Sequence, residues 1–158
     1  TTQQLNDQLG INTAVSQDIM DRVEANINNT ASLHAIISES YYETFEFLNE
    51  NGKGDISVMI LAGGWIEGLY LSTHLVAENP EKIKEGVADQ KAILKELIGL
   101  LKNYKGQREL IDQTIADLEK IMAIYNDAGI DETNKHFDDA AFEKLSKEME
   151  RIRDGIVS

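Results

Sequence analysis

The chain has 158 residues, 42% hydrophobic and 27% charged, with a single proline and no cysteine. That length buries a core without a metal or disulfide staple, and the lack of cysteine excludes disulfides, thiol nucleophiles and thiolate metal sites. With 28 acidic against 15 basic side chains the formal charge is −13, which repels phosphate backbones and excludes nucleic acid as a natural partner.

Residues 1–9 read as the tail of a helix, with Leu5 and Leu9 four apart and Gly10 placed to end it. Over residues 16–28 Ile19, Val23 and Ile27 recur at four-residue spacing and predict a short helix with one apolar stripe. Thr30 is the expected N-cap of the next helix, which runs to about Glu50 and carries a core face of Leu33, Ile37, Tyr41, Thr44 or Phe45, and Leu48, beside Ile36 and Phe47. Residues 49–55, NENGKGD, form a turn whose glycines and asparagines tolerate positive φ, and Asp55 is placed to cap the apolar helix after it.

Residues 56–77, ISVMILAGGWIEGLYLSTHLVA, contain only Glu67 and His74 as ionisable groups other than Tyr70. A helix apolar on nearly every side is wrapped by other helices or by lipid. The apolar run over residues 56–71 rises about 24 Å against a hydrocarbon core of about 30 Å, includes Glu67 and has no aromatic or basic anchors at its flanks. The expectation is therefore no transmembrane span and a central strut of a helical bundle. Gly63, Gly64 and Gly68 each make a helix about 1 kcal/mol less favourable than alanine would. Gly64, Gly68 and Ser72, at spacings of four, predict a groove into which another helix backbone packs closely.

Asn79, Pro80 and Glu81 mark the next helix start with an N-cap amide, a first-turn proline and an acid facing the dipole. Ile83, Val87, Gln90, Leu94, Leu97 and Leu101 then form a seam, closed by Lys105 and Gly106. A further helix over residues 107–127 carries Ile111, Ile115, Leu118, Met122 and Tyr125, and Gly129 stops it. The last, from Asp138 to about Gly155, steps through Phe142, Leu145, Met149, Ile152 and Ile156, capped by Asp138 or Asp139. No strand alternation or solenoid period appears. The fold class predicted is all-α: one domain over residues 1–158, an up-and-down antiparallel bundle of four long helices with shorter N-terminal ones.

Glu67, His74 and Glu78 lie seven and four apart on one side of a helix bordered by Tyr70. Two readings stand: an exposed strip with an ordinary His74–Glu78 pair, or a polar site in an interhelical cleft. Glu67, Tyr70 and His74 are the candidate ligand or partner contacts. His34 and His136 fit no metal pattern, Glu132 and His136 read as a surface pair, and residues 49–55 and 127–139 lack the EF-hand spacing. No phosphate loop or nucleophile elbow is present, so no catalytic residue, cofactor or metal is predicted. Tyr41, Tyr42, Phe45, Trp65 and Tyr70 read as core aromatics, with one of Tyr41 and Tyr42 at its edge.

At residues 61–70, LAGGWIEGLY, the chain resembles a family of uncharacterised helical lipoproteins from Bacteroidetes bacteria. Gln8-Leu9-Gly10-Ile11, Arg22-Val23-Glu24-Ala25-Asn26-Ile27 and Ser32-Leu33 stand where that family has comparable segments. The resemblance implies an extracytoplasmic, cell-envelope protein with a lipid anchor upstream of Thr1, agreeing with the opening Thr1-Thr2-Gln3, which has neither an initiator methionine nor a secretory pattern after it. It implies no reaction, substrate or catalytic residue. The resulting expectation is a non-catalytic binding or interaction module with an unknown protein or small-molecule partner, or a second copy of the chain on Leu5 and Leu9. The alternative is a small-molecule or metal-dependent enzyme built on Glu67, Tyr70 and His74.

Overall fold

The computed structural model describes residues 13–74 and 80–157, with side chains from residue 17. All the regular structure among them is helical: α1 (Thr13–Ala25), α2 (Thr30–Glu50), α3 (Gly54–His74), α4 (Pro80–Lys102), α5 (Glu109–Asp127) and α6 (Asp139–Val157). The predicted helix tail at Leu5 and Leu9, the Asn79 cap and the Glu78 partner of His74 lie outside the described residues. The chain divides into two compact units, Thr1–Ser57 and Val58–Ser158.

In the first unit α1 packs on α2, and Arg22 bonds Glu39 across the pair. The N-cap of α2 is Asn29, one residue ahead of the expected Thr30, because its side-chain oxygen accepts the Ser32 amide at 3.1 Å. Its buried residues are Ile36 and Leu48, while Ile37 is 59% exposed. The expected face otherwise holds, with Leu48 buried and Leu33, Tyr41, Thr44 and Phe45 partly buried, but Ile36 takes the place expected for Ile37. Tyr42 is exposed and Tyr41 half-buried. Gly52, at φ +70°, ends α2 as the Lys53 amide donates back to the Leu48 carbonyl at 2.8 Å.

The second unit is a helical bundle around one core. Its seam residues Val87, Leu94, Leu97 and Leu101 of α4 join Ile111, Ile115, Leu118 and Tyr125 of α5 and Leu145, Met149 and Ile152 of α6. Helices α4, α5 and α6 run antiparallel in turn. The Tyr125 hydroxyl near the end of α5 donates to the Val87 carbonyl near the start of α4 at 2.7 Å. Along α5 and α6, Lys144 reaches Asp127 at 3.4 Å and Arg151 reaches Asp117 at 2.6 Å. Phe137, in the α5–α6 loop, is fully buried and meets Tyr125 and Phe142 edge-on at centroid distances of 5.3 and 6.0 Å. Gly129, at φ +67°, terminates α5, and Asp138 caps α6 by accepting the Ala141 amide at 2.7 Å.

Helix α3 departs from expectation. It is long and apolar enough to cross a membrane by length and composition, yet only a third of its most apolar window is buried. Val58, Ala62, Ile66 and Leu69 join the core, a stripe stepping by four, four and three. Gly63, Gly64, Gly68 and Leu71 are exposed. The predicted close-packed glycine groove is therefore not what these residues form: a Cβ added at Gly63 or Gly68 would meet no atom within 4 Å. Met59, Leu61 and Trp65 pack partly buried against the same core.

Candidate functional site

The three residues singled out by the sequence do come together, and Arg153 of α6 joins them. The Arg153 Nε donates to Glu67 Oε2 at 2.8 Å, and its guanidinium lies 4.6 Å from the centroid of the Tyr70 ring. Tyr70 stacks on His74 with ring centroids 4.1 Å apart, at the tilt of 32° that spacing one turn apart on a helix allows. His74 Nδ1 lies 2.8 Å from the Tyr70 carbonyl. That carbonyl can only accept, so the bond requires the hydrogen on Nδ1 and leaves Nε2 as the acceptor of a neutral ring. The hydrogen bond to Glu67 raises the Arg153 pKa above its ordinary value, so the guanidinium keeps its charge.

This arrangement is a clasp between α3 and α6. The Glu67 carboxylate is satisfied by a cation, the Tyr70 face is covered by that same cation, and His74 sits exposed at the rim. None of the three lines either of the two grooves described next. Arg153 could not be found from the sequence, because it lies 86 residues from Glu67 and outside the apolar stripe of its own helix.

A groove of about 420 Å³ opens instead one helix-face away, between α3 and α4. Trp65, Gly68 and Ser72 form one wall, Lys82, Gly86 and Gln90 the other, over the buried side chains of Leu69 and Val87. Bare backbone at Gly68 and Gly86 keeps it open, since a Cβ at either would point into empty space. The indole Nε1 of Trp65 is out of reach of solvent and has no acceptor. A wider cavity of about 880 Å³ lies between α4, α5 and the loop after α5. Four of its polar groups are engaged: Lys135 bonds Asp89, Lys91 donates to the Ile130 carbonyl at 2.5 Å, and Asp131 accepts from Thr133 and Asn134.

Among the described residues no group of three or more acidic or histidine side chains could hold a metal ion. His136 approaches Glu81 at 3.8 Å rather than the expected Glu132. Asp131 is turned inward on its own loop, where hydrogen bonds from Thr133 and Asn134 hold its carboxyl below the usual range. No family profile, curated protein or solved structure matches this chain.

Proposed function

We propose that the chain is a non-catalytic, extracytoplasmic binding module of the bacterial cell envelope, related to the helical lipoproteins that its LAGGWIEGLY segment resembles and anchored by lipid upstream of Thr1. The observation carrying the non-catalytic reading is the commitment of Glu67 and Tyr70 to Arg153. A general acid or base must be free to exchange its proton near a bound substrate, and a nucleophile needs an activating neighbour. Glu67 has a guanidinium instead, which binds its carboxylate at 2.8 Å. The open groove beside α3, over the buried Leu69 and Val87, is a feature a binding protein uses.

The test is the stability of Glu67→Gln, Tyr70→Phe and His74→Ala combined in one protein. Residues held for catalysis are kept at the expense of stability, so their removal leaves a protein as stable or more so. Residues held as a clasp lower the melting temperature when removed. A rise in melting temperature would defeat the module reading in favour of a reaction at the strip. Metabolic labelling of the precursor with palmitate, together with protease accessibility on intact cells, tests the envelope address; an unlabelled, protected protein would refute it.

A further inference from the structure

The turn between α2 and α3 holds the one Asn-Gly pair in the chain, Asn51-Gly52. We propose that Asn51 is a self-modifying site: when this turn opens, Asn51 deamidates to a mixture of aspartate and isoaspartate, and the closed turn holds the reaction back. The inference goes beyond the binding-module reading and does not depend on it.

The only co-reactant is water. The Gly52 amide nitrogen attacks the side-chain carbonyl carbon of Asn51, and the new N–C bond closes a five-membered succinimide. The Cγ–Nδ2 bond breaks, and the side-chain nitrogen leaves as ammonia, taking the proton that the Gly52 nitrogen gives up. Water then adds to either ring carbonyl and reopens the ring, as aspartate or as isoaspartate with the backbone routed through the side chain. Glycine obstructs the attack less than any other following residue, because no side chain stands beside its nitrogen. Both residues are exposed, and a Cβ at Gly52 would meet no atom within 4 Å, so the pair is open to water.

The closed turn opposes each requirement of this reaction. The leaving group is tied, since Asn51 Nδ2 donates to the Phe47 carbonyl at 2.7 Å. The nucleophile is tied, since the Gly52 amide donates to the Asn49 carbonyl at 3.1 Å. The approach is closed, since ψ at Asn51 is 16°, which turns the Asn51 backbone nitrogen toward the Gly52 nitrogen where ring closure needs Cβ. The bond from the Lys53 amide back to the Leu48 carbonyl at 2.8 Å, across Gly52 at φ +70°, locks that arrangement. Conversion therefore runs through local opening of the turn. The product does not rebuild the cap. Aspartate has lost the donor to Phe47 and sets a negative charge at the C-terminal end of α2, where the helix dipole is already negative, and isoaspartate adds a methylene to the backbone. Each opening event that ends in reaction is thus retained, and the converted fraction records how often the turn has opened.

The whole chain is incubated at pH 7, folded in buffer and unfolded in urea, and conversion at Asn51 is followed by peptide mass spectrometry, with isoaspartate identified by enzymatic methylation. Conversion is expected to be at least tenfold faster in urea, each tenfold corresponding to about 1.4 kcal/mol of opening. Lys53→Pro removes the locking amide and keeps the reacting pair; it raises the rate in buffer at least threefold and leaves the rate in urea unchanged. Should that variant lose its helical circular dichroism, wild type in urea below its unfolding transition takes its place, and the rate must climb there before helix is lost. Asn51→Asp, the product made directly, melts below wild type. Equal rates for folded and unfolded wild type, no conversion at Asn51 in urea, or an Asn51→Asp protein that melts with wild type overturns the proposal.

Discussion

Replacing Tyr125 with phenylalanine tests how the core of the second unit is tied together, because the substitution keeps the ring and deletes one buried hydroxyl. Tyr125 is fully buried, donates at 2.7 Å to the Val87 carbonyl and meets the Phe137 ring at 5.3 Å. The ring contact survives in Tyr125→Phe, and the Val87 carbonyl keeps its own helical amide, so the loss at pH 7 is that of one hydrogen bond, about 1 kcal/mol. Burial pushes the phenol pKa well above its ordinary value, which fixes a second signature. An unfolded tyrosine releases its proton at about pH 10, whereas the folded one retains it. The unfolded state then binds fewer protons, so this group's contribution is complete below about pH 10 and falls above it by about 1.4 kcal/mol per pH unit. Phenylalanine has no such slope. Urea unfolding followed by circular dichroism at pH 7, 9, 10 and 11 should show wild type ahead by about 1 kcal/mol at pH 7 and the gap closed or reversed at pH 11. Tyr41, whose phenol is also raised by burial, is common to both proteins and cancels. A gap that stays constant across this range would refute the assignment of a buried, proton-retaining phenol.

Other substitutions probe separate parts of the molecule. Phe137→Ala should lower stability by about 3–5 kcal/mol, because it empties a fully buried ring site between Tyr125 and Phe142; a change under about 1 kcal/mol in denaturant unfolding would contradict that packing. Asp117 is buried, which alone would raise its carboxyl, but hydrogen bonds from Gln113, Lys120 and Arg151 outweigh burial and hold it below the usual range. Its contribution is present above about pH 4 and lost as pH falls through the lowered folded value, so Asp117→Asn should be the less stable protein at pH 7 and show a flatter acid limb. Equal acid limbs would count against the network. Gly63→Ala, with open space at the Cβ position, should raise stability by up to about 1 kcal/mol, and destabilisation would restore the close-packing explanation for that glycine.

How far the sequence can be read depends on whether apolar residues are separated by polar ones. On α4, α5 and α6 they are, so period alone assigns Leu94, Leu118 and Met149 to the core, where they lie. On α2 the adjacent Ile36 and Ile37 leave the phase undetermined, and the structure buries Ile36. On α3 nearly every position is apolar, which removes the phase altogether. Length and composition then suggest a wrapped strut, whereas the core of the unit fully buries Val58, Ala62, Ile66 and Leu69 and only partly buries Met59, Leu61 and Trp65. Side-chain caps also compete at close range, and Asn29 displaces Thr30 because its side-chain oxygen reaches the Ser32 amide from the turn before α2. The polar strip is recognisable from helical spacing within one element. Its partner Arg153 is not, since a pairing across 86 residues leaves no local mark. The groove is hidden for the same reason: Gly68 and Gly86 become opposing walls only once α3 and α4 are folded back on each other.

The central claim is that Glu67 is held by Arg153 as part of the fold and is not kept free for chemistry. It is tested most directly by a double-mutant cycle with Glu67→Gln, Arg153→Met and the combined protein, each unfolded in urea at low and at high salt. The account predicts that the two single losses sum to more than the loss in the double mutant, and that this coupling shrinks as salt screens the pair. Additive losses with no salt dependence would show that the two side chains do not support one another, and the strip would have to be explained as a site for something else.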